Sequence, residues 1–360
     1  MSSASHRSVL IMAGGTGGHV FPALATANYL REQGINVEWL GTRRGIESRV
    51  VPAADISIHY IGVSGLRGKG IVSLFKAGMQ MFNALFQSLK ILRQIKPVCV
   101  LGMGGFVSGP GGMAAWLTGR PLVIHEQNAV AGTANKLLSH ISKKVLTGYP
   151  IALGKKSEFI GNPVRADIVN IIPPQQRYDN RTGKIRLLVL GGSLGAKPIN
   201  DILPETISLI APDKRPDVWH QTGEQHIDSV RNAYQGFDLE VKAEAFIEDM
   251  TAAYEWADLV ICRSGALTVA EIAATGVASI LVPLPHAIDD HQTENARWLF
   301  DSRAAFMLKQ SEMDVGSLTA LVTHLSDRSK LQTMAINARE VGRIDAAQRL
   351  ASTCLEVANG

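Results

Sequence analysis

Two glycine-rich segments, each directly after a short apolar stretch, are the parts of this chain best suited to chemistry. The first, GGTGGH at residues 14–19, follows residues 8–12, and the second, GGSLGA at residues 191–196, follows residues 185–190. A strand that enters a helix through glycines presents backbone N–H groups to an anion at the helix N-terminus. The two segments therefore predict two phosphate-binding α/β halves with a site shared between them.

A histidine stands where the first segment enters its predicted helix. The helix dipole disfavours a positive charge there, so we expect the imidazole of His19 to stay neutral and to accept a proton. His19 is therefore our first candidate for a general base, and a histidine that caps the loop backbone is the alternative. The segment is a poor dinucleotide fingerprint, because Val20 occupies the place of the third glycine.

Two further segments of the first half combine glycine with polar residues at strand ends. Residues 102–112 (GMGGFVSGPGG) hold six glycines, more than a structural turn needs, and predict backbone that approaches a bulky anionic ligand. Residues 125–128 (HEQN) end the next predicted strand and indicate the edge of a site, with strand-end capping as the alternative. His125 with Glu126 is our second candidate for the base.

The second half offers a strand-to-helix segment, CRSGALTVAE at residues 262–271. Arg263 at the strand end is placed to face phosphate, and Glu271 lies where a carboxylate could accept two ribose hydroxyls. A later polar cluster consists of His286, Asp289, Asp290, His291 and Gln292. Its spacing matches no zinc pattern, so we expect contacts to a sugar or phosphate and no metal site.

Charge is distributed unevenly along the 360 residues, whose net charge is +4. The first 164 residues carry 17 Lys and Arg against 6 Asp and Glu, whereas the remainder carries 19 against 26. A basic first half implies an anionic partner, which could be nucleic acid, an anionic membrane surface or a phosphorylated substrate. No zinc-binding spacing or nucleic-acid motif supports the first of these, so we expect no nucleic acid.

One amphipathic stretch bears on membranes. Apolar residues recur at helical spacing from Ile71 to Leu92 and are bordered by lysines and arginines. Part of this apolar stripe must face the core, but the stripe is wide enough for one edge to stay exposed. An exposed apolar edge next to basic residues predicts docking on an anionic membrane surface. We expect no signal peptide and no stretch of the ~20 apolar residues that a membrane span requires. The three cysteines, Cys99, Cys262 and Cys354, are predicted to be buried thiols of a reducing compartment.

Strand-like and helix-like segments alternate almost throughout, which predicts parallel sheets covered by helices on both faces. Ligands bind beyond the carboxyl ends of the strands in such sheets, where most of the segments above fall. In the segment GNPVR at 161–165, Gly161 supplies conformational freedom and Pro163 restricts Asn162 to extended conformations. This combination predicts a hinge between two domains. We therefore expect an N-terminal domain of residues 1–163, a C-terminal domain of residues 164–343, and a last helix, at about 344–360, that returns to the first domain.

Seven segments occur in a characteristic order: GGTGGHVFPALA, SGLRGKG, LGMGGFVSGPGG, HEQN, GNPVR, GGSLGA and CRSGALTVAEIAA. In this combination the chain resembles the MurG family of peripheral-membrane glycosyltransferases of peptidoglycan synthesis. The resemblance implies the GT-B fold, two Rossmann-like doubly wound parallel-sheet α/β domains facing across a cleft. It also implies inverting transfer of N-acetylglucosamine from UDP-N-acetylglucosamine to the 4-hydroxyl of the muramoyl sugar of lipid I. The products are lipid II and UDP, and no cofactor is needed.

The resemblance also assigns site residues and a location. The residues implied for UDP-N-acetylglucosamine are Thr16, Gly17, Gly18, Asn128, Arg165, Ser193, Ile247, Ala266, Leu267, Thr268, Val269, Ala270, Glu271 and Gln292. Gly15, Gly104 and Gly105, with residues 125–128, would hold the acceptor diphosphate. The implied location is the cytoplasmic face of the inner membrane, with proteins of cell-wall synthesis and division as candidate partners.

Three departures from the family pattern concern the donor. Leu194 stands where the family often has Gln, Ala270 where it often has Ser, and His291-Gln292 replaces a Gln pair in a loop one residue longer. The alternatives are another GT-B enzyme, either a glycolipid synthase or a UDP-N-acetylglucosamine epimerase, and a non-catalytic protein that binds a nucleotide sugar. A Rossmann-type NAD oxidoreductase is disfavoured by Val20.

Overall fold

The computed structural model describes residues 7–63, 71–155, 157–192, 194–285 and 290–359. The chain divides into two compact units. Unit 1 comprises Met1–Arg165 with Ile344–Gly360, and unit 2 comprises Ala166–Arg343. Each unit has its own parallel sheet and its own buried apolar core, which follows from the alternation of apolar strands with helices.

Unit 1 alternates strands and helices along the chain. Its elements up to residue 165 are β1 (Ser8–Met12), α1 (Gly17–Glu32), β2 (Asn36–Gly41), α2 (Glu47–Ala53), β3 (Ser57–Tyr60), α3 (Ile71–Ile95), β4 (Cys99–Gly102), α4 (Ser108–Leu117), β5 (Leu122–Glu126), α5 (Thr133–Leu138), β6 (Lys144–Thr147) and β7 (Ser157–Phe159).

The sheet of unit 1 has the order β3-β2-β1-β4-β5-β6-β7, and all its described pairings are parallel. The chain moves outward from β1 to β3 and then returns to the other side of β1 with β4. The loops that follow β1 and β4 therefore diverge at a topological switch point, where such sheets bind ligands. Strand β5 is the next neighbour, so the ends of β1, β4 and β5 lie side by side.

Unit 2 repeats this plan. Its elements are α6 (Ala166–Val169), α7 (Pro174–Asp179), β8 (Arg186–Leu190), α8 (Lys197–Leu209), β9 (Asp217–Gln221), α9 (Ile227–Gly236), β10 (Lys242–Glu244), α10 (Met250–Trp256), β11 (Leu259–Cys262), α11 (Ala266–Thr275), β12 (Ala278–Leu281), α12 (His291–Asp301), β13 (Ala305–Met307), α13 (Val315–His324) and α14 (Arg328–Val341). The sheet order is β10-β9-β8-β11-β12-β13, again parallel, with the switch point between β8 and β11.

A few elements differ from the sequence prediction. Strands β7 and β13 were not predicted, because three residues are too few for a hydrophobic period to be recognised. The spacing of apolar residues predicts one helical stretch over residues 318–341, but the structure divides this region into α13 and α14, so that prediction is wrong. The side chain of Asp327 accepts a hydrogen bond from the Ser329 N–H and so begins a new helix at Arg328.

The last helix, α15 (Ala346–Asn359), belongs to unit 1 and packs on α1 and β4. Leu350, Ala351 and Cys354 are fully buried in the core that also holds Val9 and Cys99. All three cysteines of the chain are buried free thiols, as predicted. The final residues of the chain thereby cover one face of the first sheet.

Candidate active site

The first glycine segment joins β1 to α1. Thr16 is the extended residue that precedes the helix, and its carbonyl accepts hydrogen bonds from the N–H groups of His19 (3.2 Å) and Val20 (3.3 Å). Gly15 has a φ of +96°, a conformation that side chains rarely adopt. Gly15 and Thr16 are exposed and Gly17, Gly18 and His19 are half-buried, so the predicted donor-sugar and base residues lie together at one surface.

A buried carboxylate that the sequence analysis missed lies beneath this segment. Glu47, at the start of α2, is fully buried and accepts hydrogen bonds from Gly15 N–H (2.9 Å), Thr42 N–H (2.9 Å) and the Thr42 hydroxyl (2.8 Å). A Cβ at Gly14 would lie 2.7 Å from a Glu47 oxygen, so the glycine permits the approach. Because the Gly15 N–H is already engaged, Gly15 shapes the loop, and an anion would need other donors.

The second glycine segment packs directly against the first. Gly104 and Gly105 follow β4 with φ values of +90° and +80°. A Cβ at Gly105 would clash with the backbone carbonyl of Gly14, and a Cβ at Gly104 would lie 2.6 Å from Nδ1 of His19. The Ser108 hydroxyl donates to the Gly104 carbonyl at 2.9 Å. The glycines therefore let the loops after β1 and β4 meet with the His19 ring against them.

Gln127 connects these loops to the end of β5. Its side-chain Nε2 donates to the Met103 carbonyl at 2.9 Å, and its Oε1 lies 3.1 Å from Nδ1 of His19. Its backbone carbonyl accepts from Nδ2 of Asn162 at 3.0 Å. The residue is 1% exposed. The HEQN segment signalled a site edge, but its sequence did not reveal that the Gln127 amide is the part that reaches His19.

His125 and Glu126, the second candidates for the base, are enclosed in unit 1. His125 is fully buried, and its Nε2 donates to the Gly161 carbonyl at 2.9 Å. Burial lowers its pKa to about 4, against the opposing effects of the Gly161 hydrogen bond and the Glu126 charge. Glu126 is 2% exposed and accepts bonds from both nitrogens of Asn128, from Gly132 N–H and from Nδ2 of Asn135. These contacts hold the loop after β5, whereas His19 has the more accessible ring.

The nucleotide residues predicted in unit 2 cluster on α11. Ala266, Val269, Ala270 and Glu271 are buried, and Leu267 and Thr268 are half-buried. Glu271 is 8% exposed, and its Oε2 accepts a hydrogen bond from the hydroxyl of the fully buried Tyr254 at 3.0 Å. Burial, with a smaller contribution from the Glu271 charge, keeps the pKa of the neighbouring Cys262 thiol above its usual range. The Glu271 carboxylate is therefore fixed by a hydrogen bond and is not a solvent-exposed group. The sequence did not indicate Tyr254 as its partner.

A second unpredicted amide organises the loops of unit 2. Gln221, at the end of β9, donates from Nε2 to the Gly192 carbonyl at 3.0 Å and accepts from Ile247 N–H at 3.0 Å. A Cβ at Gly195 would clash with the Thr222 carbonyl, so this glycine allows the loops after β8 and β9 to meet. Ile247 is thus fixed through its backbone N–H.

Arg263 directly follows β11, and its guanidinium makes hydrogen bonds to later segments of unit 2. Its guanidinium donates to the carbonyls of Val282 and Pro283, both at 3.2 Å, and to Oε1 of Gln310 at 2.6 Å. Burial also lowers its pKa. Strand-end carbonyls and an amide engage three of its five N–H donors, and contact of Arg263 with phosphate stays a prediction.

Gln292 lies on the first turn of α12, where its Oε1 accepts from Leu284 N–H at 3.0 Å and its carbonyl accepts from the Ser264 hydroxyl at 2.8 Å. It therefore ties the loop after β12 to the start of α11.

Arg165 is half-buried at the end of the first stretch of unit 1. Ser193, His286, Asp289 and the SGLRGKG segment lie outside the described residues.

Family models match most of the chain. The glycosyltransferase family 28 N-terminal domain matches residues 9–147, and the glycosyltransferase family 28 C-terminal domain matches residues 186–350. The two matches correspond to the two α/β units.

Curated relatives are similar over nearly their whole length. The UDP-N-acetylglucosamine--N-acetylmuramyl-(pentapeptide) pyrophosphoryl-undecaprenol N-acetylglucosamine transferase of Stutzerimonas stutzeri is 51% identical over 355 residues, which cover 98% of this chain and 99% of that protein. The protein of the same name from Alkalilimnicola ehrlichii is 53% identical over 352 residues, 97% of this chain and 99% of that protein.

Solved structures show the same architecture. The crystal structure of MurG from Acinetobacter baumannii superposes with a TM-score of 0.86 at 39% identity and covers 97% of this chain and 99% of that chain. The UDP-GlcNAc 2-epimerase of Neisseria meningitidis reaches a TM-score of 0.66 at 13% identity, covering 97% of this chain and 100% of that chain. The similarity to the epimerase concerns the fold alone.

Proposed function

The chain belongs to glycosyltransferase family 28 and has the GT-B fold, and we infer from this that it transfers N-acetylglucosamine from UDP-N-acetylglucosamine to lipid I. The acceptor is the 4-hydroxyl of the muramoyl sugar, the configuration inverts, and the products are lipid II and UDP. The observation that carries this conclusion is the roughly 50% identity to transferases of that name across both units. The enzyme is a hexosyltransferase of peptidoglycan synthesis.

Inverting transfer requires a base for the acceptor hydroxyl, and we propose His19 for this role. Its ring is half-buried, lies at the meeting point of the two glycine segments of unit 1, and follows a helix N-terminus. His125 is fully buried with one nitrogen committed to Gly161, and Glu126 is enclosed by four donors, so neither is as well placed to touch a substrate. A positioned base of this kind contributes about 10²–10⁴-fold to the rate.

We propose that unit 2 binds the nucleotide. Tyr254 fixes one oxygen of Glu271, and the carboxylate is then oriented to accept the ribose hydroxyls. Residues 266–268 at the start of α11 supply N–H groups at a helix N-terminus, which favours the charge that develops on the departing UDP. Ile247 offers its carbonyl to uracil, and Gln292 and Arg165 remain proposed contacts to the donor sugar and diphosphate.

We propose that unit 1 binds the acceptor diphosphate and the donor sugar. Gly104 and Gly105 adopt positive φ values beside the His19 ring, so their backbone can approach an anionic group that a side chain would block. Thr16, Gly17 and Gly18 lie at the same surface, and Asn128 belongs to the loop that Glu126 holds. The basic character of residues 1–164 favours a substrate that carries a diphosphate.

We propose that unit 1 also docks on the cytoplasmic face of the inner membrane. An apolar surface of α3 and α4 is formed by Met79, Phe82, Phe86, Met113, Trp116 and Leu117, each between 39% and 60% exposed. The two helices pack on each other, and Lys90, Arg93 and Lys96 are exposed toward the end of α3. Exposed aromatic and aliphatic side chains next to lysines and arginines suit an anionic bilayer surface.

None of the described helices has the length and hydropathy of a membrane span. Docking of proteins of cell-wall synthesis and division stays a prediction.

The test of the proposed reaction is UDP release from UDP-N-acetylglucosamine, with and without a short-chain lipid I analogue. We expect release only with the analogue, together with a β-1,4 disaccharide product. Release or epimer formation without the analogue would instead indicate an epimerase. Binding of UDP without turnover under either condition would contradict the acceptor assignment.

A further inference from the structure

We propose that Gln127 is a positioning residue that holds His19 in the Nδ1–H tautomer and so leaves Nε2 as the proton acceptor. The inference rests on the proposed role of His19 as the base. Gln127 is one of the residues 125–128 implied for the acceptor diphosphate, but it is 1% exposed and its side chain lies against His19. This contact assigns a specific atom of His19 to the reaction.

The orientation of the Gln127 amide is determined by its surroundings. Its Nε2 lies 2.9 Å from the carbonyl oxygen of Met103, an atom that can only accept a hydrogen bond. Met103 is itself fixed, because its N–H donates to the Met12 carbonyl at 2.8 Å. Rotation of the amide by 180° would bring two acceptor oxygens together in a site that is 1% exposed to solvent. Oε1 therefore faces His19.

The Oε1 atom of Gln127 in turn determines the tautomer of His19. It lies 3.1 Å from Nδ1, and an amide oxygen accepts but never donates. The bond forms only when Nδ1 carries the hydrogen, which places the lone pair of the neutral ring on Nε2. The two hydrogen bonds thus run in one direction: the His19 Nδ1–H donates to Gln127 Oε1, and Gln127 Nε2 donates to the Met103 carbonyl.

The ring is also held in place by packing. A Cβ at Gly104 would lie 2.6 Å from Nδ1 and 2.8 Å from Cε1 of His19, so the ring rests against bare backbone. The backbone carbonyl of Gln127 accepts from Asn162, which anchors the amide that reaches the ring. Position and tautomer of His19 are therefore set by residues after β4, β5 and β7.

An amide in this position has an electrostatic consequence. A carboxylate bonded to Nδ1 would select the same tautomer but would also stabilise the imidazolium. Titratable groups on the neighbouring elements include His125 and Glu126 at the end of β5 and Glu47 at the start of α2. Glu126 and Glu47 are each enclosed by hydrogen-bond donors. The neutral amide therefore orients the base without adding a charge to it.

The direct test is ¹⁵N NMR of the full chain with labelled histidine, assigned by comparison with His19→Gln. We expect the His19 signals of a ring protonated at Nδ1 and bare at Nε2. In Gln127→Met, which has a similar volume but no amide, we expect a mixture of both tautomers. A wild-type ring protonated at Nε2, or a Gln127→Met spectrum unchanged from wild type, would overturn the proposal.

Kinetics supply a readout that a merely structural role would not move. Gln127→Met should lower kcat by about 10–100-fold with less than about a threefold change in the KM for UDP-N-acetylglucosamine. Gln127→Glu keeps an acceptor for Nδ1, but its other oxygen meets the Met103 carbonyl, so the carboxyl should stay protonated, donate to that carbonyl and retain both the tautomer and a kcat well above that of Gln127→Met. Gln332→Met, at a surface position of unit 2, is the matched control for exchange of an amide for a thioether. A folded Gln127→Glu whose kcat is as low as that of Gln127→Met would contradict the proposal.

The outcomes separate this inference from the function on which it rests. If His19→Ala turns over normally while the NMR shows the expected tautomer, the assignment of the base is wrong and the catalytic part of the proposal falls with it. If His19→Ala is impaired but the wild-type tautomer is reversed, His19 stays the base and the role of Gln127 is overturned.

Discussion

The hydroxyl of Tyr254 donates a hydrogen bond of 3.0 Å to Oε2 of Glu271, and both side chains are buried in unit 2. Tyr254 belongs to α10, which precedes β11 in the chain, and Glu271 belongs to α11, which follows it. The bond therefore joins two consecutive helices. A carboxylate that is held in this way loses less conformational freedom when it binds a ligand than a mobile surface glutamate would.

Glu271→Ala should raise the KM for UDP-N-acetylglucosamine by about 10–100-fold and leave kcat within a few-fold, since charge-assisted hydrogen bonds contribute about 1.5–3 kcal/mol each. Tyr254→Phe should have a smaller effect in the same direction, because it frees the carboxylate without removing it. Steady-state kinetics with varied donor measure both. Glu205→Ala, an exposed helical glutamate of the same unit, is the control. Unchanged donor binding in Glu271→Ala would remove Glu271 from the nucleotide site.

His19→Ala should lower kcat by about 10²–10⁴-fold, because the acceptor hydroxyl would lose its base. The KM for the donor should change much less, since the nucleotide contacts are proposed for unit 2. The measurement is turnover of the lipid I analogue at saturating donor, with His140→Ala at an exposed position of unit 1 as the control. Near-normal turnover would exclude His19 as the base.

Glu47→Gln should destabilise unit 1 although it preserves the shape of the side chain. The carboxylate accepts three hydrogen bonds, and an amide NH₂ would face at least one donor from Gly15 or Thr42. A buried polar group left unsatisfied costs about 1–3 kcal/mol, and we expect a loss of that size in the free energy of unfolding. Urea denaturation measures it, against Glu32→Gln at the exposed end of α1. Equal stability of the two variants would contradict the structural role of Glu47.

Acid should destabilise the protein between about pH 6.5 and pH 4. Burial lowers the pKa of His125 to about 4 and that of His220 to about 3, whereas the unfolded chain protonates histidine near its ordinary value. The unfolded state therefore binds more protons in this interval, and the free energy of unfolding falls as pH decreases, by about 1.4 kcal/mol per pH unit for each histidine. Below the folded-state pKa the contribution levels off.

Replacement of one of these histidines tests the sign and the size of the effect. In His220→Gln the slope of unfolding free energy against pH between pH 5 and 6 should decrease by about 1.4 kcal/mol per pH unit, whatever the absolute stability of the variant. His140→Gln, at an exposed position, should keep the wild-type slope. An unchanged slope in His220→Gln would show that His220 is protonated in the folded state.

Phe82→Ser combined with Trp116→Ser should weaken binding to phosphatidylglycerol vesicles by at least about tenfold, since each buried aromatic side chain contributes about 1.5–3 kcal/mol. The two residues are 60% and 53% exposed, and the Phe82 ring lies 4.6 Å from that of Phe86. Vesicle co-sedimentation measures the loss, with Leu209→Ser, an exposed apolar position of unit 2, as the control. Equal binding by both variants would place the membrane contact elsewhere.

The amino-acid sequence by itself determined the α/β architecture and the positions of the loops that carry the site. Alternating apolar strands and helices predict parallel sheets, and the glycines at 14–18, 102–105 and 191–195 mark where strands end and backbones approach closely. These are local properties, since hydrophobic period and glycine content act within a few neighbouring residues. His19, Glu271 and the HEQN segment could be identified for the same reason.

Only the tertiary structure decided which side chains meet. Gln127 reaches His19 because β5 lies next to β4 and β4 next to β1, and Glu47 reaches Gly15 because α2 returns beneath the first glycine segment. Arg263 has the sequence context of a phosphate-binding arginine, yet its Nη1 donates to the carbonyls of Val282 and Pro283, contacts that the sequence does not reveal. A polar side chain makes bonds with whatever the sheet order brings within about 3 Å, and that order depends on the packing of the whole unit rather than on local sequence.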